Sequence, residues 1–118
     1  LEVAMNNLSI LLLDKRGDKA SVERALKLAR RFDNSHNAAY LDTLGWALFK
    51  SGQASRGLPY LEKALAAEPD MPSYHYHIGL AYKAAGEKDK AKTHLLKSIA
   101  TGERFSGHDQ AKAAAATL

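Results

Sequence analysis

The sequence predicts an all-α fold in which helix–turn–helix pairs stack side by side into a solenoid. Three observations predict it. The segment AYLDTLGWALFKSGQASRGLPYLEKAL (39–65) aligns with SYHYHIGLAYKAAGEKDKAKTHLLKSI (73–99) at a constant offset of 34 residues, with no gap. Under that offset Gly45 meets Gly79, Gly52 meets Gly86, and Leu44, Ala47 and Leu61 meet Ile78, Ala81 and Leu95. Within each copy the apolar residues recur every three or four positions, the spacing of one helix face rather than the alternation of a strand. A fixed period of this kind marks a repeat architecture, in which each unit buries its apolar face only against its neighbours.

The elements follow in order from the middle copy. Leu41, Leu44, Gly45 and Leu48 define the first helix, and Gly52 supplies the left-handed turn that ends it. Leu58, Leu61, Ala64 and Leu65 define the second helix, which closes before Glu68-Pro69-Asp70. Pro59 lies inside it and removes a backbone donor, so a local kink or a late helix start is expected there. Pro72 opens the next helix, where a missing N–H costs little. Upstream, NNLSILLLDKRGDKASVERALKLARRF reads as a degenerate third copy, with Gly17-Asp18 as its turn and Ala25, Leu26, Leu28 and Ala29 in its second helix. Keeping the register there requires extra residues in the turn and a shorter ending. Downstream, Ser106-Gly107-His108-Asp109 matches a capping box. The alanine-rich stretch to Thr117 then reads as a seventh helix, whose small side chains let it lie close on the last pair as an end cap. The expected boundaries are 4–37, 38–71 and 72–105 for the repeats and 106–118 for the cap, within one domain spanning 1–118.

Length and composition agree with one globular unit: 118 residues, 46% hydrophobic and 25% charged. The longest apolar run, Ile10 to Leu13, falls far short of the roughly 20 residues of a membrane helix. With no cysteine, disulfides, thiolate metal sites and cysteine nucleophiles are excluded. The net charge of +4 is spread among interleaved acids, apart from a basic cluster at Arg24, Lys27, Arg30 and Arg31. That cluster lacks aromatic interleaving and any recognised motif, so nucleic acid is not the expected partner. The chain opens mid-pattern at Leu1, without a leader. The expectation is therefore a piece of a longer chain with further repeats upstream, or self-association through an uncapped first pair bearing Val3, Leu8 and Leu12.

The histidines invite a metal or catalytic reading, and their spacing argues against it. His75 and His77 are two apart, so on a helix they point about 200° from one another and cannot share an ion. Neither His-x-x-x-His nor His-Glu-x-x-His occurs. His75 is expected as a packed imidazole with one hydrogen-bond partner, His77 toward a neighbouring repeat or a groove, and His36, His94 and His108 at the surface. No Gly-x-Ser-x-Gly elbow and no phosphate-cradling glycine loop are present. The chain is therefore not expected to be an enzyme, and no catalytic residue, metal or cofactor is assigned.

Leu41, Leu44-Gly45, Leu48, Gly57, Leu61, Ala64 and Pro69, echoed by His75, Ile78-Gly79, Tyr82, Ala91, Leu95 and Ser98, resemble the tetratricopeptide repeat (TPR) pattern. Two departures stand out: Glu103 occupies the place of the closing proline, and Gly57 that of an alanine. The resemblance implies a right-handed solenoid of about three TPR units plus a C-terminal capping helix. It also implies a non-catalytic scaffold that binds a peptide or protein segment in a concave groove lined by the first helix of each pair. On that reading the groove carries Asn6, Ile10 and Leu13, then Ala39, Asp42, Trp46 and Phe49, then Ser73, Tyr76, Leu80 and Lys83, with Lys50 at the rim beside Lys83. Trp46, Phe49 and Tyr76 are residue types enriched at interface hot spots. The alternative is a structural segment of a longer solenoid with no ligand of its own. The carboxylate clamp of some TPR domains would fall on Asn6, Ile10, Thr43, Ser73 and His77. Only the asparagine fits, so recognition of a C-terminal tail of that kind is not expected. NNLSILLLDKRGDKA, LDTLGWALFKSG and HIGLAYKAAGEKDKAK also resemble the C-terminal repeats of long bacterial TPR proteins, among them lipoproteins of PEP-CTERM/exosortase and exopolysaccharide systems. This closer resemblance implies a bacterial source and an envelope location.

Overall fold

The computed structural model describes residues 1–118 and contains helices and turns without strands. Helix α1 (Glu2–Leu11) runs into a π turn (Leu12–Arg16), and α2 (Lys19–Ala29) ends in a 3-10 turn (Arg30–Phe32). Then come α3 (Ala38–Lys50), α4 (Ala54–Ala67), α5 (Pro72–Ala84), α6 (Lys88–Ile99) and α7 (His108–Ala116). The pairs α1–α2, α3–α4 and α5–α6 stack in chain order, and α7 closes the far end against α5 and α6. The molecule is an all-α helical repeat solenoid.

Local chemistry starts and stops these helices. The Asp18 carboxylate caps α2 by accepting from the Ser21 backbone N–H at 3.2 Å and the Ser21 hydroxyl at 2.6 Å, which lowers the Asp18 pKa. Asn37 caps α3 through the Tyr40 N–H. Pro72 opens α5 as its first residue. Each pair turns at a glycine in the left-handed region, with φ of 69° at Gly17, 88° at Gly52 and 84° at Gly86.

Glycines also set how closely paired helices approach. A Cβ on Gly45 would lie 2.6 Å from Leu61 Cγ, and one on Gly57 would lie 2.6 Å from the Gly45 carbonyl oxygen. In the first pair Ser9 takes the role of Gly45: it is wholly buried, and its hydroxyl donates to the Met5 carbonyl while lying 3.5 Å from that of Ala25. The span from Ser9 to Gly17 is one residue longer than that from Gly45 to Gly52. The sequence reading put the surplus in the turn. The structure absorbs it inside the helix, as the π turn at 12–16, a known way to admit one extra residue without losing the helix.

Of the two alternatives at Pro59 the late start is not found: helix α4 begins at Ala54 and runs through Pro59 to Ala67. Another expectation changes outright. The capping box at Ser106 does not form: Gly107 is the cap residue of α7, with φ 135°, and no side chain bonds there. Packing requires glycine at this position, because a Cβ there would fall 2.5 Å from the Tyr76 ring. Asp109 pairs instead with Arg104 at 3.1 Å.

The principal core joins all three pairs to α7, with Leu13, Phe32, Ala47, Leu95 and Ala111 almost fully enclosed. Phe32 stacks on Tyr40 at 4.6 Å and fastens the end of the first pair to α3. Helix α1 leaves Val3 and Leu11 exposed, at 62% and 54%.

Candidate functional site

The first helices of the three pairs and the start of α7 enclose a recess of about 360 Å³. Its walls include Ile10 and Asp14 from the first pair, Ala39, Asp42, Thr43, Trp46 and Lys50 from α3, and Ser73, Tyr76 and His77 from α5. Ser106, Gly107 and Gln110 close one side. The segment before α7 thus bounds this face of the first helices on one side and leaves a half-open recess.

Trp46 is the hub. It is only 3% exposed, and its indole N–H donates to Asp14 Oδ1 at 3.0 Å. His77 stacks on it with centroids 4.0 Å apart, Phe49 lies 5.1 Å away, and the Lys50 ammonium sits 4.9 Å from its centroid. His77 Nδ1 donates to the Asp42 carboxylate, at 2.9 and 3.0 Å from its two oxygens. Tyr76 is also enclosed, at 7% exposure, with its ring against Gly107 and 5.8 Å from Phe105. Burial, and then the charge of Asp14, push the Tyr76 phenol up from its ordinary pKa.

Of the twelve residues expected in the groove, the recess brings together Ile10, Ala39, Asp42, Trp46, Lys50, Ser73 and Tyr76. The other five lie elsewhere. Asn6 is buried with its side-chain oxygen unpartnered, and Leu13 is in the core. Phe49 lines a shallow depression beside Gly52 and Ala84. Leu80 packs into the core, and the Lys83 ammonium donates to the Thr117 hydroxyl on the α7 side. Trp46 and Tyr76 therefore form the frame of the recess and present little open face. Asp14, Met71 and Gln110 were not anticipated. Asp14 lies in the π turn, whose altered winding no repeat register reveals.

The remaining histidines form a separate structure. His75 is buried, and its Nε2–H donates to the Pro69 carbonyl at 2.6 Å. That leaves Nδ1 free to accept from His94 Nδ1 at 3.0 Å. His94 was expected at the surface. It is half-buried beside Tyr82, and desolvation followed by the nearby His75 lowers its pKa to about 4. His108, also expected outside, is buried against Phe105 with Nδ1 unpartnered. Only His36 is exposed as anticipated. Two imidazoles without a third ligand make no closed metal site, and no group of three or more ligating side chains assembles.

A family model described as tetratricopeptide repeat matches residues 72–100, the stretch holding α5, the Gly86 turn and α6. No curated protein matches the chain. The match supports the TPR family, whose repeats generally serve as protein-interaction scaffolds.

Proposed function

We propose that the protein is a non-catalytic interaction module that holds a peptide or protein segment in its concave recess. The observation that carries this reading is the fixed arrangement of the walls. Trp46 is bonded to Asp14 and His77 to Asp42, so the polar groups facing an occupant are already oriented. Preorganisation of this kind lowers the ordering cost of binding. The mouth is apolar, with Ile10 at 39% and Met71 at 38% exposure, and Lys50 and Asp14 stand beside it. An apolar side chain flanked by polar groups fits such a lining.

The test is selection of peptides from a displayed library on the folded domain. Affinities of the enriched peptides are then measured for the parent protein and for Ile10→Glu and Ser73→Arg. Both positions touch the recess without belonging to the core. About tenfold or greater loss of affinity with unchanged melting is expected. Enriched peptides that bind the variants as tightly as the parent would refute the reading.

A second reading, a structural segment that self-associates, is favoured by the exposed Val3 and Leu11 on α1. It predicts a concentration-dependent dimer in sedimentation that Val3→Glu/Leu11→Glu abolishes. A single monomeric species at all concentrations counts against it.

A further inference from the structure

The outer side of the solenoid carries a second recess, between the end of α2 and helix α4, of about 580 Å³. Leu44 and Leu48 lie beneath it almost wholly enclosed, Pro59 and Tyr60 show it some apolar surface, and its rim is basic, formed by Arg30, Arg56 and Lys63. None of the three cations belongs to an ion pair. Arg56 donates one guanidinium N–H to Gln53, which leaves its remaining donors free. The single acid in the lining, Asp33, already accepts from the Tyr60 hydroxyl. Arg56 and Lys63 lie seven residues apart on α4, about two turns or 10 Å along the axis. Lys27 and Arg31 extend the basic row beyond the rim, both exposed.

We infer that this outer recess is a second binding site, and that its occupant is an acidic protein segment whose apolar side chain rests on Pro59 and Tyr60. The charge complementarity is specific in kind: three cations outside any ion pair outnumber the one carboxylate, Asp33, around a small apolar patch, so the partner brings carboxylates around an apolar anchor. Nucleic acid fits less well. Base recognition uses free aromatic faces for stacking, whereas the one aromatic here, Tyr60, is half-buried and tied to Asp33. The site is independent of the concave recess and stands whether or not that recess binds a peptide.

A fluorescein-labelled peptide of alternating glutamate and leucine is the probe, followed by fluorescence anisotropy at low ionic strength. It is titrated with the parent protein, with Arg56→Glu/Lys63→Glu, and with Lys88→Glu/Lys92→Glu, a pair on α6 that changes net charge equally. The rim reversal weakens binding about tenfold or more and the α6 reversal about twofold or less, because a local charge match rather than net charge holds the segment. Each variant is checked for parental melting. Arg56→Gln/Lys63→Gln replaces the reversal if that variant fails to fold, with loss in the same direction. Equal weakening by both reversals would overturn the inference. So would equal binding of an alternating lysine and leucine peptide, or tighter binding of a single-stranded oligonucleotide than of the acidic peptide.

Discussion

Trp46 ties α3 to the first pair through the Asp14 bond and to α5 through the His77 stack, with Phe49 beside it on its own helix. At 3% exposure its truncation removes core volume. Trp46→Ala should therefore cost about 3–5 kcal/mol of stability. Trp46→Phe should cost less, since it loses chiefly the indole N–H bond to Asp14. Chemical denaturation of the two variants separates these outcomes, and equal, small losses would show that the indole is not structural. The sequence revealed that Trp46 sits on the first-helix stripe. It did not reveal that Asp14 and His77 would cover the ring, because those contacts join residues from three different pairs.

His94 gives the residue scale its pH dependence. Its ordinary value is 6.5 and its folded value is about 4, with desolvation the largest cause. Between those values the unfolded chain binds this proton and the folded chain does not. The stability linked to His94 is therefore whole above pH 6.5 and falls as the pH drops toward 4. Lys90 and Lys97, also facing it, push in the same direction. His94→Gln should flatten the acid limb of melting temperature against pH. Parallel profiles for parent and variant would show that this imidazole does not carry the effect.

At the scale of the element, the glycine pair of α3 and α4 decides between two opposed effects. Alanine at Gly57 would gain about 1 kcal/mol in helix propensity. Its Cβ would also lie 2.6 Å from the Gly45 carbonyl oxygen, a backbone atom that cannot swing aside. Overpacking of this kind costs about 1–3 kcal/mol, so Gly57→Ala should be net destabilising despite the better helix former. The third pair carries Ala91 at the matching position, and there a Cβ on Gly79 would sit 3.3 Å from the Ala91 oxygen, against 3.0 Å for the Gly45–Gly57 counterpart. Urea denaturation checks the sign; a stabilised Gly57→Ala would mean the helices separate freely. The sequence made the turns legible through Gly17, Gly52 and Gly86, because a left-handed φ selects glycine. It left the π turn hidden, because an inserted residue can lodge in a loop or in a helix without changing the flanking apolar spacing.

Across the whole molecule, the repeat period fixed the order and pairing of helices because each pair meets only its neighbours. The shape of the concave face was less legible. It depends on where the segment 101–107 travels after α6, and nothing in a 34-residue period encodes that path. Phe105 and Gly107 close on Tyr76, and Ser106, Gly107 and Gln110 bound one side of a stripe that reads as open. Phe105 backs the Tyr76 ring without lining the recess. Phe105→Ala is expected to lower the melting temperature and to leave the affinity of a recess-bound peptide unchanged. A loss of affinity would mean that Phe105 itself contacts the occupant.

The most direct measurement is amide chemical-shift mapping of the folded domain with a peptide enriched by display. The account predicts perturbations clustered at Ile10, Asp42, Ser73 and His77, the walls of the concave recess. Perturbations that spare these residues, or the absence of any enriched peptide from a well-folded domain, would contradict it.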